Sequence, residues 1–98
     1  MALEIDILGM FEQLQGKTIL VTGGAGFLGS NLTGRLLELG SKVICFDNLS
    51  TGKKENIADY SSNPNFAFIS GDANNLGDLA KVFDGRRIDY VFHYAAKV

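Results

Sequence analysis

Apolar positions along this chain fall into short runs separated by turn residues, and their spacing alternates between helical and near-continuous. Leu3, Ile7, Met10, Phe11 and Leu14 share one helical face while Glu4, Asp6 and Glu12 fall elsewhere, which predicts a short amphipathic helix before residue 15. Gly9 weakens that helix, and Gly16 is a fitting stop. Lys17 to Thr22 then reads as a first strand. Leu28, Leu32, Leu36 and Leu39 repeat at helical spacing within Phe27 to Leu39, and the following Gly40 suits a left-handed cap. Lys42 to Phe46 is a second strand, and Lys53 to Tyr60 a short helix ending before Ser61-Ser62-Asn63-Pro64. Phe66 to Ser70, Leu76 to Phe83 and Asp89 to Tyr94 read as strand, helix and strand. Near-continuous rather than alternating apolar strands indicate a parallel sheet covered by helices on both faces. With right-handed crossovers and a reversal after the third strand, the α/β architecture has four strands in the order 3-2-1-4.

Composition narrows the function classes. A chain of 98 residues holds one small core, burying roughly two-thirds of its unfolded surface. Its 46% hydrophobic content and single proline describe a globular domain rather than a disordered one. The formal charge of -2, with basic pairs only at Lys53-Lys54 and Arg86-Arg87, leaves no footprint for nucleic acid. No apolar run approaches the roughly 20 residues that span a bilayer, and no leader pattern opens the chain, so no membrane partner and a cytoplasmic location are expected. Cys45 is the sole cysteine, which rules out an internal disulfide; its setting in Val43 to Phe46 favours a buried packing residue over a reactive thiol.

The chemistry concentrates where the first strand meets the first long helix, in KTILVTGGAGFLGSN over 17–31. Gly23, Gly26 and Gly29 give G-x-x-G-x-x-G, a variant of the dinucleotide fingerprint of the Rossmann fold, between a β-branched strand and a helix. Gly23 would permit a tight exit from the strand, Gly26 the approach of a pyrophosphate to the backbone, and Gly29 close helix–strand packing. The helix start offers unpaired amides and roughly half a positive charge to the phosphates. A plain glycine-rich turn is the bland reading; the flanking elements argue against it.

Other residues sit at strand ends, where such folds bind ligands. Asp47 closes the second strand 18 positions after Gly29, near the interval of about 20 residues at which a carboxylate accepts the adenosine ribose hydroxyls. That favours NAD over NADP, since a carboxylate about 4 Å from a 2′-phosphate meets repulsion of a few kcal/mol at a dielectric near 20. Lys53 and Lys54 would act the other way if their loop folded onto the phosphate. An Asp-Asn turn is the alternative role for Asp47. Asp72 follows the third strand and either accepts the adenine amino group or caps the helix near Leu76. His93 reads as a strand residue with a satisfied hydrogen bond rather than a catalyst, and the small Ala95 and Ala96 leave room for a cofactor. No catalytic or metal-ligating set emerges.

These residues resemble the extended short-chain dehydrogenase/reductase family, which includes NAD-dependent nucleotide-sugar epimerases and dehydratases. VTGGAGFLGSNL, DNLSTGKKENI, GDA and VFHYAA occur in the order and spacing of that family's N-terminal cofactor half and cover most of 16–98. The DNLSTG loop is similar to that of UDP-glucose 4-epimerases and UDP-glucuronate decarboxylases. The resemblance implies NAD as cofactor, with Phe27 and Leu28 on its pyrophosphate. Asp47, Asn48, Leu49, Ser50, Thr51 and Gly52 would lie around the adenosine ribose, and Asp72 and Ala73 at the adenine. Tyr94, Ala95, Ala96 and Lys97 would run toward the nicotinamide, although the family more often carries leucine and glutamine in place of Tyr94 and Lys97.

Family chemistry also needs a tyrosine four residues before a lysine, moving a hydroxyl proton while hydride passes to or from NAD. Tyr60, Tyr90 and Tyr94 are followed at that distance by Pro64, Tyr94 and Val98. The expectation is therefore an extension over 1–15 and a truncated NAD-binding half-domain over 16–98, without the region that grips a nucleotide-sugar substrate and without turnover of its own. A stand-alone dinucleotide sensor is the alternative. A scaffold or homo-oligomer that pairs through the fourth-strand edge or the N-terminal helix is the other.

Overall fold

A computed structural model describes residues 12–50 and 52–94. Four parallel strands form one sheet: β1 (Thr18–Thr22), β2 (Lys42–Asp47), β3 (Phe66–Ser70) and β4 (Tyr90–His93), in the order β3-β2-β1-β4. The central pair runs in register from Thr18 beside Lys42 to Thr22 beside Phe46, and β4 joins the far side of β1 with Ile19 beside Tyr90. The predicted order and the α/β class are those observed. Most of the expected N-terminal helix lies outside the described residues; its end, 12–14, is helical.

Alternation along the two central strands sends side chains to two cores. Ile19, Val21 and Val43 pack with Leu36 of α1 (Phe27–Glu38) and with Leu14. Leu20, Ile44 and Phe46 face the other way, onto Val82 and Leu79 of α2 (Leu76–Phe83). Each such fully buried side chain contributes about 1.5–3 kcal/mol, so stability concentrates in β1 and β2. Coverage thins outward. Val91 on β4 is 51% exposed, and β3 is only half-buried, because among the described residues α1 and α2 pack on the central strands more than on the flanks.

Helix ends follow local chemistry. α1 closes in a Schellman motif: Gly40, at φ +92°, donates to Leu37 O, and Ser41 donates to Leu36 O. At α2 the cap is Asn75, whose Oδ1 accepts from Asp78 N at 3.1 Å. The capping alternative for Asp72 is thereby corrected, since Asp72 lies three residues too early and its Oδ1 instead accepts from Asn74 N.

The helix expected over Lys53 to Tyr60 is replaced by two 3-10 turns, Lys54–Asn56 and Ala58–Tyr60. Ile57 breaks the run at φ -119°, which lets its side chain enter a third buried cluster with Ala25 and Cys45. Tyr60 then reaches across α1, where its hydroxyl donates to Ser30 O at 3.1 Å and sits over Gly34. Any side chain at position 34 would meet that hydroxyl, so this glycine seats the β2–β3 connection on the helix.

Candidate functional site

All of the described sequence-predicted site residues gather along one edge of the sheet, past the C-terminal ends of the four strands. Parallel strands force this, because every strand ends at the same edge and every crossover starts there before returning to the opposite one. The chain leaves β1 through Gly23, which takes φ +70° and donates its N–H to Phe46 O at 2.8 Å. Gly26 donates to Gly23 O and serves as the N-cap of α1, its own carbonyl accepting from Ser30 N at 2.9 Å. The amides of Phe27, Leu28 and Gly29 precede the first intrahelical bond and point out of the helix start. They face a cleft of about 210 Å³ lined by Gly23, Gly26, Phe27, Leu28, Gly29 and Tyr94. Among the described residues no charged side chain lines it, and these contribute attraction for an anion through amide dipoles and the helix macrodipole.

Close approach explains the glycines. A Cβ on Gly29 would lie 2.3 Å from Gly23 O and 2.8 Å from Gly24 Cα, so the first turn of α1 presses on the glycine turn itself rather than on the strand. Gly24 is a glycine that sequence spacing passed over. A side chain there would strike Cys45 Sγ at 2.4 Å, a clash visible only once β2 lies under the turn.

Asp47 is buried at 8% exposure and is engaged at both oxygens. Oδ2 accepts from Ala25 N at 2.8 Å, and Oδ1 accepts from Leu49 N at 2.8 Å. The turn-forming role weighed for Asp47 is therefore present, and it extends to the glycine turn. Each carboxylate oxygen keeps a second lone-pair direction for a further donor. Leu49 holds a left-handed backbone at φ 63°, rare for a branched residue, and the Asp47 bond and the packing of its side chain fix it there. Asn48 Oδ1 accepts from Ser50 N, and both residues are exposed. Gly52 packs so tightly that a Cβ would lie 2.9 Å from Asp47 Oδ2 and 2.7 Å from Ala25 C.

The remaining positions lie farther along the edge. Gly71 donates to Asp47 O and stacks on Phe46, and it leads to Asp72 and Ala73, both half-buried. Asp72 N donates to Asp78 Oδ2 at 2.9 Å, which ties this corner to the start of α2. At the end of β4, Tyr94 N donates to Thr22 O, placing the residue beside the glycine turn. His93 Nδ1 shares a hydrogen bond with Thr22 Oγ1, the satisfied strand histidine that was expected. Thr51, Ala95, Ala96 and Lys97 lie outside the described residues. Cys45 is fully buried, and burial first, with the Asp47 charge second, pushes its thiol pKa up to about 12, so it is no nucleophile. The described residues include no cluster suited to a metal and no helix long and apolar enough to cross a membrane.

Sequence reasoning missed Ala25 altogether. Its N–H donates to Asp47, and its carbonyl accepts from Lys53 N at 3.0 Å and from Asn56 Nδ2 at 2.8 Å. An alanine side chain gives no signal of a role played by its backbone.

Known proteins share this fold. CDP-paratose 2-epimerase of Salmonella typhi is 43% identical over 81 residues, 82% of this chain and 24% of its own. A solved epimerase of Methanothermobacter thermautotrophicus superposes with a TM-score of 0.78 at 47% identity, over 89% of this chain and 25% of its own. The dTDP-glucose 4,6-dehydratase of Bacillus anthracis, determined in complex with NAD, gives 0.77 at 36% identity, over 83% and 27%. The chain thus spans about a quarter of the length of these relatives. The model of the NAD-dependent epimerase/dehydratase family matches residues 19–98, and with the glycine turn, Asp47 and the 3-2-1-4 sheet in place, the chain belongs to that family, whose cofactor is NAD.

Proposed function

We propose that this chain is the cofactor half of a nucleotide-sugar epimerase, dehydratase or decarboxylase, and that NAD lies along the sheet edge with its pyrophosphate at the start of α1. The convergence of the turn, the helix amides and Tyr94 on one cleft, with Asp47 buried behind Ala25, carries this reading. The residues suit the cofactor. A side chain at Gly26 or Gly29 would crowd the turn, and amide donors with no carboxylate among the described lining residues fit a pyrophosphate. Asp47 would accept ribose hydroxyls and disfavour a 2′-phosphate, while Gly52 and Leu49 hold it in place. Asn48, Ser50 and Thr51 would border the ribose, Asp72 and Ala73 the adenine, and Tyr94 to Lys97 the path toward the nicotinamide.

When bound, NAD would supply a hydride acceptor and donor for a sugar carbon. This chain's residues would bind and orient it; the tyrosine–lysine pair that moves the proton is absent from this sequence. Relatives that share this quarter act, by their names, on CDP- and dTDP-sugars, so the features that choose the nucleotide sugar belong to regions other than this shared edge. Residues 16–98 form the half-domain in this reading, with 1–15 as an extension, and a lone buried thiol fits the reducing cytoplasm.

Calorimetric titration with NAD and NADP tests the proposal. Saturable binding of NAD, at least tenfold tighter than NADP, is expected, without epimerisation or dehydration of UDP-glucose by the isolated chain. Absence of NAD binding at millimolar ligand overturns it.

A further inference from the structure

We infer that Asn56 is a positioning residue for the pyrophosphate-binding turn, an inference that rests on the cofactor reading above. Ala25 sits between Gly24 and Gly26, in a segment that glycine leaves with little stiffness of its own. Its peptide groups are nonetheless clasped from both sides by the end of β2 and the β2–β3 connection. Asp47 takes the N–H, while Lys53 N and Asn56 Nδ2 converge on the two lone pairs of the carbonyl at 3.0 and 2.8 Å. The 3-10 turn makes that convergence possible, since Asn56 N donates back to Lys53 O and brings both donors to one point. Only the amide nitrogen of Asn56 can satisfy a carbonyl, so the residue's donor is what matters there and its size alone is not.

The Ala25 carbonyl is one peptide away from Gly26, the cap that sets the direction of the α1 amides. Asn56 does not line the cleft. Its action runs through Ala25, and it links the loop that would meet the ribose to the turn that would meet the pyrophosphate. Asn56 is exposed, so replacing it leaves the core filled.

Two variants of the whole chain separate positioning from bulk. Asn56→Ala removes one of two donors, and Asn56→Asp keeps the shape but sets a carboxylate oxygen against the carbonyl. Positioning predicts NAD and ADP affinity falling about 3- to 10-fold in Asn56→Ala and further in Asn56→Asp, with adenosine affinity within about twofold of the parent. Amide exchange without ligand supplies the second readout: Ala25 N–H should exchange at least about fivefold faster in both variants, while Gly23 N–H, bonded to Phe46 O, keeps its rate. Parental NAD affinity in Asn56→Asp, or unchanged Ala25 exchange, overturns the role of Asn56 and leaves the cofactor reading standing. Equal weakening of adenosine and NAD, or equal acceleration at Gly23, reduces Asn56 to a general structural residue and also overturns it. If the parent chain binds no NAD, the cofactor reading falls and this role falls with it.

Discussion

Replacing Gly29 with alanine puts a methyl carbon 2.3 Å from Gly23 O, 2.8 Å from Gly24 Cα and 3.0 Å from Gly23 C, all of them backbone atoms. The first contact is roughly 1 Å short of ordinary van der Waals separation, and no side chain can swing aside to restore it. Either α1 lifts off the turn or the turn distorts. Overpacking of this kind costs about 1–3 kcal/mol, against which alanine returns at most about 1 kcal/mol in helix propensity. With the full return the net loss is up to about 2 kcal/mol, which lowers the melting temperature by up to roughly 16 °C in a domain of this size. Affinity should suffer more, because lifting the helix start moves the amides of Phe27, Leu28 and Gly29 together, and hydrogen bonds to charged groups contribute about 1.5–3 kcal/mol each. Loss of even one predicts at least a tenfold weaker NAD complex. Circular-dichroism melting and NAD calorimetry on Gly29→Ala measure the two effects, with Gly34→Ala as the control. In the control the methyl meets only the Tyr60 hydroxyl and ring, which can rotate away, so stability changes while NAD affinity stays within about twofold of the parent. A Gly29→Ala chain with parental melting and parental affinity would refute the packing argument.

Four further outcomes are expected. Cys45 should resist a thiol-specific disulfide reagent at pH 8 in the folded chain and react at once in denaturant, since its thiol is buried and its pKa is raised to about 12; rapid labelling of the native chain would contradict this. Because that pKa stands above its ordinary value of 9.0, the thiol's contribution is complete below pH 9 and drains as pH rises toward 12, which melting curves across that range would show as a loss absent from Cys45→Ser. At the opposite end of the scale, the hydrogen bond from Thr18 N, aided by Arg87, lowers the Asp89 pKa, so its contribution is present above the ordinary carboxylate value and vanishes as pH falls below it. Asp89→Asn should therefore flatten the acid limb of a stability–pH curve, and an unchanged slope would exclude the role. Gly40→Ala forces a β-carbon into φ +92° and should cost about 1–2 kcal/mol in urea melts without altering NAD affinity.

Much of the molecule was legible because its elements carry local signals. The leucine repeat ending at Gly40, the apolar strands and the glycine spacing each state one structure, and the sheet order follows from connection rules. Illegible parts depend on atoms every residue has or on neighbours distant in sequence. Ile57 and Tyr60 are three apart, as a helix would have them, and both pack in the cluster at Ala25, yet Tyr60 must also carry its hydroxyl to Ser30 O on α1, and two 3-10 turns stand in place of one helix. Asp72 and Asn75 are both good caps by composition. Only the path out of β3 decides between them. Gly24 looks like a spare glycine until Cys45 of β2 is placed beneath it.

The clasp on Ala25 also bears on how such a chain can be rebuilt. Loop grafting treats a glycine-rich motif as a portable cassette, to be cut at the strand and at the helix and moved between scaffolds. Here the cut would sever bonds from Asp47, Lys53 and Asn56, none of which lies inside that cassette. The transferable unit is the pair of segments 22–30 and 47–60. A chimera that exchanges both should keep the turn's shape, whereas one that exchanges either alone inherits a mismatched half.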